Sequence, residues 1–140
     1  MTPQTSSSPE SGNISVLSAA ECRALLGETG VGRIGFVGPS GPVIFPVNYL
    51  IDNDTIVLRT SPYTMLGEHA TGQVAFEVDE LDAWLTRGWS VLVTGRSAPV
   101  EDPDEAIALR RSERLQPWAD GHRNLFVRIT PDEITGRRIS

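Results

Sequence analysis

The chain has 140 residues, enough for one domain with a real core but not for a deep pocket enclosed by a single subunit. Its formal net charge is −6 and its twelve basic residues are all arginine. That excludes lysine Schiff-base and lysine-nucleophile chemistry, and it argues against nucleic-acid and anionic-membrane partners.

The lone cysteine, Cys22, leaves no intrachain disulfide to form. No apolar run reaches membrane-spanning length. The start, Met-Thr-Pro-Gln-Thr-Ser-Ser-Ser, has neither the basic region nor the apolar core of a secretory signal. A cytoplasmic protein is expected.

Residues 1–13 are rich in Ser, Pro, Thr and Gly and are expected to form a flexible tail before a domain over 14–140. Ser18 and Glu21 make an S-x-x-E capping box that starts a helix. Cys22, Leu25 and Leu26 give that helix one apolar face, and Gly27 and Gly30 are placed to end it. Alternation then predicts a strand over Gly32–Val37, followed by a turn at Gly38-Pro39-Ser40-Gly41. Pro42–Ile51 is almost continuously apolar, the pattern of a strand covered on both sides. Asp52-Asn53-Asp54 reads as a hairpin turn into a strand over Thr55–Thr60.

Ser61-Pro62-Tyr63-Thr64 opens a short helical segment to about Ala70. Further strands are expected over Gln73–Asp79 and Trp89–Val100, the second bent at Gly95. Asp102-Pro103-Asp104-Glu105 starts a second helix. Asn124–Thr130 closes the chain as a strand, with Glu133–Ile139 extending the sheet. Hairpins dominate and no βαβ repeat occurs, which points to a mainly β, antiparallel barrel with short flanking helices.

Chemistry-bearing residues are sparse. His69 and His122 sit in no ligand-spaced motif, so no metal site is expected, and haem on His69 is the alternative. Cys22 falls on an apolar helix face and reads as structural. Glu77, Asp79, Glu80 and Asp82 form an acidic stretch; Glu80 and Asp82 read as solvated, whereas Glu77 has the parity of a polar face.

Arg59-Thr60-Ser61 ends a strand where Pro62 breaks the ladder and a helical turn begins. One guanidinium, two hydroxyls and unpaired backbone N–H groups suit a phosphate, and an ordinary strand end with a Ser cap is the alternative. Pro46-Val47-Asn48-Tyr49 places a proline and an amide inside an apolar strand, where the amide needs partners such as the polar edge of a ring system or a nearby turn. Trp89 in Gly88-Trp89-Ser90 caps a core, lines a planar ligand or fills an interface.

Taken in order, Val31-Gly32-Arg33-Ile34, Pro46-Val47-Asn48-Tyr49, Ile56-Val57-Leu58-Arg59-Thr60, Val74-Ala75-Phe76-Glu77-Val78-Asp79, Gly88-Trp89-Ser90-Val91 and Ile134-Thr135-Gly136-Arg137-Arg138-Ile139 resemble the pyridoxamine 5′-phosphate oxidase-like, FMN-binding split-barrel family, in its small bacterial branch. The resemblance spans Leu17 to Ile139. It implies a six-stranded antiparallel split β-barrel that forms a homodimer with FMN in the interface groove, and an oxidoreductase-like role on a small-molecule substrate. It further implies that Pro46, Val47 and Asn48 border the flavin ring and that Arg59, Thr60 and Ser61 hold the phosphate. Met65 and Leu66 lie in the turn beside the phosphate, Glu77 near the cofactor edge, and Trp89 and Ser90 at the site. Met65 stands where many members of the family carry a phosphate-binding lysine. The alternatives are a non-catalytic flavin carrier, a cofactor-free dimer, or a relative that uses a deazaflavin or haem.

Overall fold

The computed structural model describes residues 13–60, 66, 68, 71–84, 86–112, 115 and 125–140. Residues 1–12 of the tail expected over 1–13 lie outside them, as do Ser61 to Met65, His69 and His122; Leu66 and Glu68 are helical.

The chain runs β1 (Ile14–Val16), α1 (Ala19–Glu28), β2 (Val31–Gly38), β3 (Gly41–Asp52), β4 (Thr55–Thr60), β5 (Gly72–Leu81), β6 (Gly88–Pro99), α2 (Pro103–Arg110) and β7 (Leu125–Ile139). All strand pairs are antiparallel, in the order β1-β7-β4-β3-β2-β5-β6, and β6 pairs back onto β7. Six strands therefore close into a barrel. β1 is an addition, joined only to the far end of β7 through Ile14–Ile139, Ser15–Arg138 and Val16–Arg137.

The split lies in two long strands that change partners. β3 pairs with β2 from Gly41 to Asn48 and with β4 only from Tyr49 to Asp52. β7 pairs with β4 over Leu125–Ile129 and with β1 over Arg137–Ile139, while β6 follows its other edge. Where Glu133–Ile139 was expected as a separate extension, Leu125–Ile139 is one continuous strand.

Local chemistry explains the joints. Ser18 Oγ accepts from the Glu21 amide at 3.1 Å, and Glu21 accepts from the Ser18 amide at 2.9 Å, so both halves of the capping box form. The helix does not stop on a glycine: Thr29 is its extended C-cap. The Tyr49 hydroxyl, donating to the Leu26 carbonyl and bonded to Thr29 Oγ1, ties that end to β3. Asn53 and Asp54 take the left-handed backbone of a tight hairpin turn (φ 49° and 60°). The β6–β7 ladder shifts register between Thr94 and Gly95, opposite a bulge at Asp132 of β7, at the point where β6 was expected to bend.

The barrel interior is filled. Ile34, Tyr49, Phe76, Val91, Val93 and Ile129 are almost fully buried, and Leu17, just before α1, plugs it together with Cys22, Leu25 and Leu26 of α1. A second, smaller cluster of Val57, Leu109, Leu115 and Phe126 sits on the outside of β4 and β7 under α2. One expectation fails here. β3 is apolar on both faces, but outward-facing Pro42, Ile44 and Pro46 are exposed, Ile44 by 71%. No part of the described chain covers them.

Candidate functional site

Strand alternation sorts the expected site residues into two sets. Val47, Thr60, Leu66 and Trp89 are buried, and Val47, Leu66 and Trp89 belong to the main core cluster. Trp89 thus caps the core. Pro46, Asn48, Arg59, Glu77 and Ser90 face outward. Ser61 and Met65 lie outside the described residues.

Sheet register brings the outward set together. One row across the wall reads Pro46, Arg33, Glu77, Leu92. In the next row, Asn48 pairs with Val31 and Asp79 with Ser90, which pairs on to Arg137. Asn48 also stands one step past the Tyr49–Leu58 pair, level with Arg59. Residues as far apart in sequence as Val31 and Ser90 therefore share one surface of the barrel, with Asn48 and Arg59 at the point where β3 leaves β4.

The wall has a charged centre. Arg33 Nη1 donates to Glu77 at 2.7 Å and to Asp79 at 3.3 Å. Two carboxylates share this guanidinium, leaving a local charge of about −1 if both ionise. Burial pushes the Glu77 carboxyl up to about 7, helped by its hydrogen bond to Asp79 and that neighbour's charge; Arg33 opposes the rise but does not cancel it. These groups line a shallow concavity of about 400 Å³ together with Gly35, Ile44, Ala75 and Leu92. The result is an apolar floor with one ionic edge.

Arg59 lies at the other end of the surface. Its guanidinium carbon sits 5.5 Å from the centre of the Phe126 ring, and Nη1 donates to the Leu115 carbonyl at 3.3 Å. By alternation Thr60 points into the barrel and is 3% exposed. The two residues expected at the phosphate therefore part: the Arg59 side chain is on the outer face and the Thr60 side chain is inside the barrel.

The sequence reading left out Arg33, Asp79, Leu115 and Phe126 as site residues. Arg33 and Asp79 share the outward parity of Gly35 and Glu77, which was a usable signal. No such signal marks Phe126, whose place depends on how β7 registers against β4.

A second concavity of about 310 Å³ is lined by Arg96, Ser97, Glu105, Arg128 and neighbours. Arg128 there donates to Asp52 at 3.1 Å and Thr55 at 2.6 Å and lies 3.6 Å from Glu105, so it ties the β3–β4 turn to α2. Among the described residues, no group of three or more His, Cys, Asp or Glu could hold a metal ion. Cys22 is fully buried, and burial raises its thiol pKa, as suits a packing residue. No described helix is long and apolar enough to cross a membrane.

Comparison with known proteins adds three findings. Residues 18–138 match the family model for pyridoxamine 5′-phosphate oxidase. An uncharacterized protein of Mycobacterium tuberculosis, Rv0080, is 34% identical over 125 residues, covering 85% of this chain and 81% of its own. Among solved structures, the FAD binding protein from Mycobacterium smegmatis is 32% identical with a TM-score of 0.70, over 91% of this chain and 100% of that one. A FAD-binding protein from Mesorhizobium loti is 25% identical with a TM-score of 0.76, over 91% and 99%.

Proposed function

The chain belongs to the pyridoxamine 5′-phosphate oxidase family, and from that premise we propose that it is a flavin-binding, oxidoreductase-like protein that holds FMN between the outer walls of two copies. The observation that carries this reading is the gathering of Pro46, Asn48, Arg59, Glu77 and Ser90 on one uncovered face of a filled barrel. The likeness to two proteins named for FAD binding supports a flavin as the ligand class.

The residues fit such a group. Pro46, Ile44 and Val31 offer apolar surface for a planar ring, and Asn48 and Ser90 offer an amide and a hydroxyl at its edges. Arg59 offers a planar cation for a phosphate. The Arg33–Glu77–Asp79 cluster sits beside that surface and can hold a proton near neutral pH. When bound, the flavin supplies the electron chemistry; the chain binds it, orients it and excludes water.

A second reading, FAD in place of FMN, is favoured by the names of the two similar structures. Both flavins present a phosphate to Arg59.

The test is a visible spectrum of the purified protein, followed by chromatography of whatever denaturation releases. FMN is the expected product, and FAD would replace the cofactor assignment. A colourless protein that quenches neither FMN nor FAD fluorescence overturns the reading. Arg59→Ala should weaken FMN binding about tenfold to hundredfold, the range for a hydrogen bond to a charged group. Unchanged affinity would remove Arg59 from the site.

A further inference from the structure

We propose that Phe126, together with the Leu115 carbonyl, is a positioning platform that fixes the direction in which Arg59 presents its guanidinium to the flavin phosphate. This rests on reading Arg59 as the phosphate ligand.

Arg59 and Phe126 are direct register partners on β4 and β7. Their side chains leave the sheet on the same side, and the guanidinium carbon lies 5.5 Å from the ring centre. The ring is rigid: Phe126 is 1% exposed, packed with Val57, Leu109 and Leu115, and Leu50, Val100 and Ala106 close the cluster. The Phe126 carbonyl also accepts from the Val100 amide at 2.8 Å. Leu115 is fully buried, so its carbonyl is a fixed acceptor for Nη1 at 3.3 Å.

A ring face beneath the cation and a buried acceptor together restrict the orientation of the guanidinium plane. Its five N–H donors lie in that plane, so fixing it aims them all. An arginine otherwise carries large rotamer freedom, which a ligand must suppress on binding. Suppressing it beforehand strengthens binding without adding a contact to the ligand. The ring is dry, the setting in which a cation over an aromatic face is worth most. The proposal also gives Leu109 of α2 and Leu115 a role beside the site: both pack against Phe126.

The test compares FMN with riboflavin, which is FMN without its phosphate. Affinities are measured by flavin fluorescence quenching for the wild type, Arg59→Ala, Phe126→Leu and the double variant. Phe126 is also replaced by ring-fluorinated phenylalanines, which keep the ring's shape while draining charge from its face; these remain informative if Phe126→Leu does not fold. FMN affinity should fall about three- to tenfold in Phe126→Leu, in line with a desolvated cation–π contact. It should fall stepwise with fluorination. Riboflavin affinity should not change, and neither substitution should matter once Arg59 is alanine. A purely structural role for Phe126 would lower both affinities alike, and that result overturns the proposal. So does a fluorination series with a constant FMN-to-riboflavin ratio while Arg59→Ala lowers that ratio; the phosphate reading then survives alone. If Arg59→Ala leaves the ratio unchanged, the phosphate reading itself fails and takes this inference with it.

Discussion

The Glu77 carboxyl is where a single residue's chemistry is most visible. Burial and the Asp79 carboxylate raise its pKa from 4.5 to about 7. It therefore binds a proton more tightly in the folded chain than in the unfolded one, and protonation stabilises the fold. That contribution is fully present below about 4.5 and is lost as pH rises through about 7. Glu77→Gln keeps the shape and removes the titration. The difference in melting temperature between wild type and Glu77→Gln should change across pH 4.5–7, with the wild type losing ground as pH rises. Parallel melting curves at every pH would show that Glu77 titrates normally. At this scale the sequence was half legible. Glu77 announced itself by its polar-face parity in an apolar strand, and Arg59 as a charge at a strand end beside two hydroxyls. Arg33 carries the same outward parity, but its carboxylate partner lies 44 residues away, so the ion pair itself was not readable. Phe126 looked like any core aromatic, because stacking on Arg59 is a property of register, which neither segment contains.

At the scale of elements, the strands with strict alternation and the two capped helices were readable, since caps and period-two patterns are local physics. β1 was not. Ile14-Ser15-Val16 is a strand only because the far end of β7 is there to pair with it. The break expected near Pro131 is absent, since β6 follows that edge of β7 and pairs Gly95 with Pro131 across the bulge. Gly95 is the residue that permits this crossing. A Cβ there would stand 2.3 Å from the Thr130 carbonyl oxygen and 3.0 Å from the Pro131 Cα, backbone atoms with little room to yield. Gly95→Ala should cost on the order of 2–4 kcal/mol, in the range of overpacked sites. Gly27 is the internal contrast: it lies in α1 with nothing within 4 Å of its added Cβ. Gly27→Ala should stabilise by about 0.4–1 kcal/mol through helix propensity and a more restricted unfolded chain. Urea midpoints measured side by side decide both, and a Gly95→Ala midpoint equal to wild type would refute the close-approach argument.

On the scale of the whole molecule, the question is what covers the bare wall. β3 was expected to be buried on both faces, and its composition fits that expectation even though one chain does not meet it. Val31, Val37, Ile44 and Leu92 are between 44% and 73% exposed and lie on one face across β2, β3 and β6. Apolar surface gathered this way is a mark of association. Among the described residues, core side chains occupy the barrel interior, so a ligand on the wall needs a second wall to bury it. In the proposed dimer, a second copy of the chain is that wall. Such an interface would take about 800 Å² per partner, roughly a tenth of the 8500 Å² surface of one chain. Sedimentation equilibrium should give twice 15.2 kDa. Each copy carries a net charge of −6, so association should tighten as salt screens the repulsion. Ile44→Asp puts a carboxylate at the centre of the patch, where burial on association would leave it unpaired. It should yield a folded monomer, checked by circular dichroism, that has lost flavin affinity together with its partner. A wild type that stays monomeric up to high micromolar concentration would remove the dimer from the proposal. A dimer that survives Ile44→Asp would move the interface to another face, and a monomer that still binds flavin with wild-type affinity would show that one wall is enough.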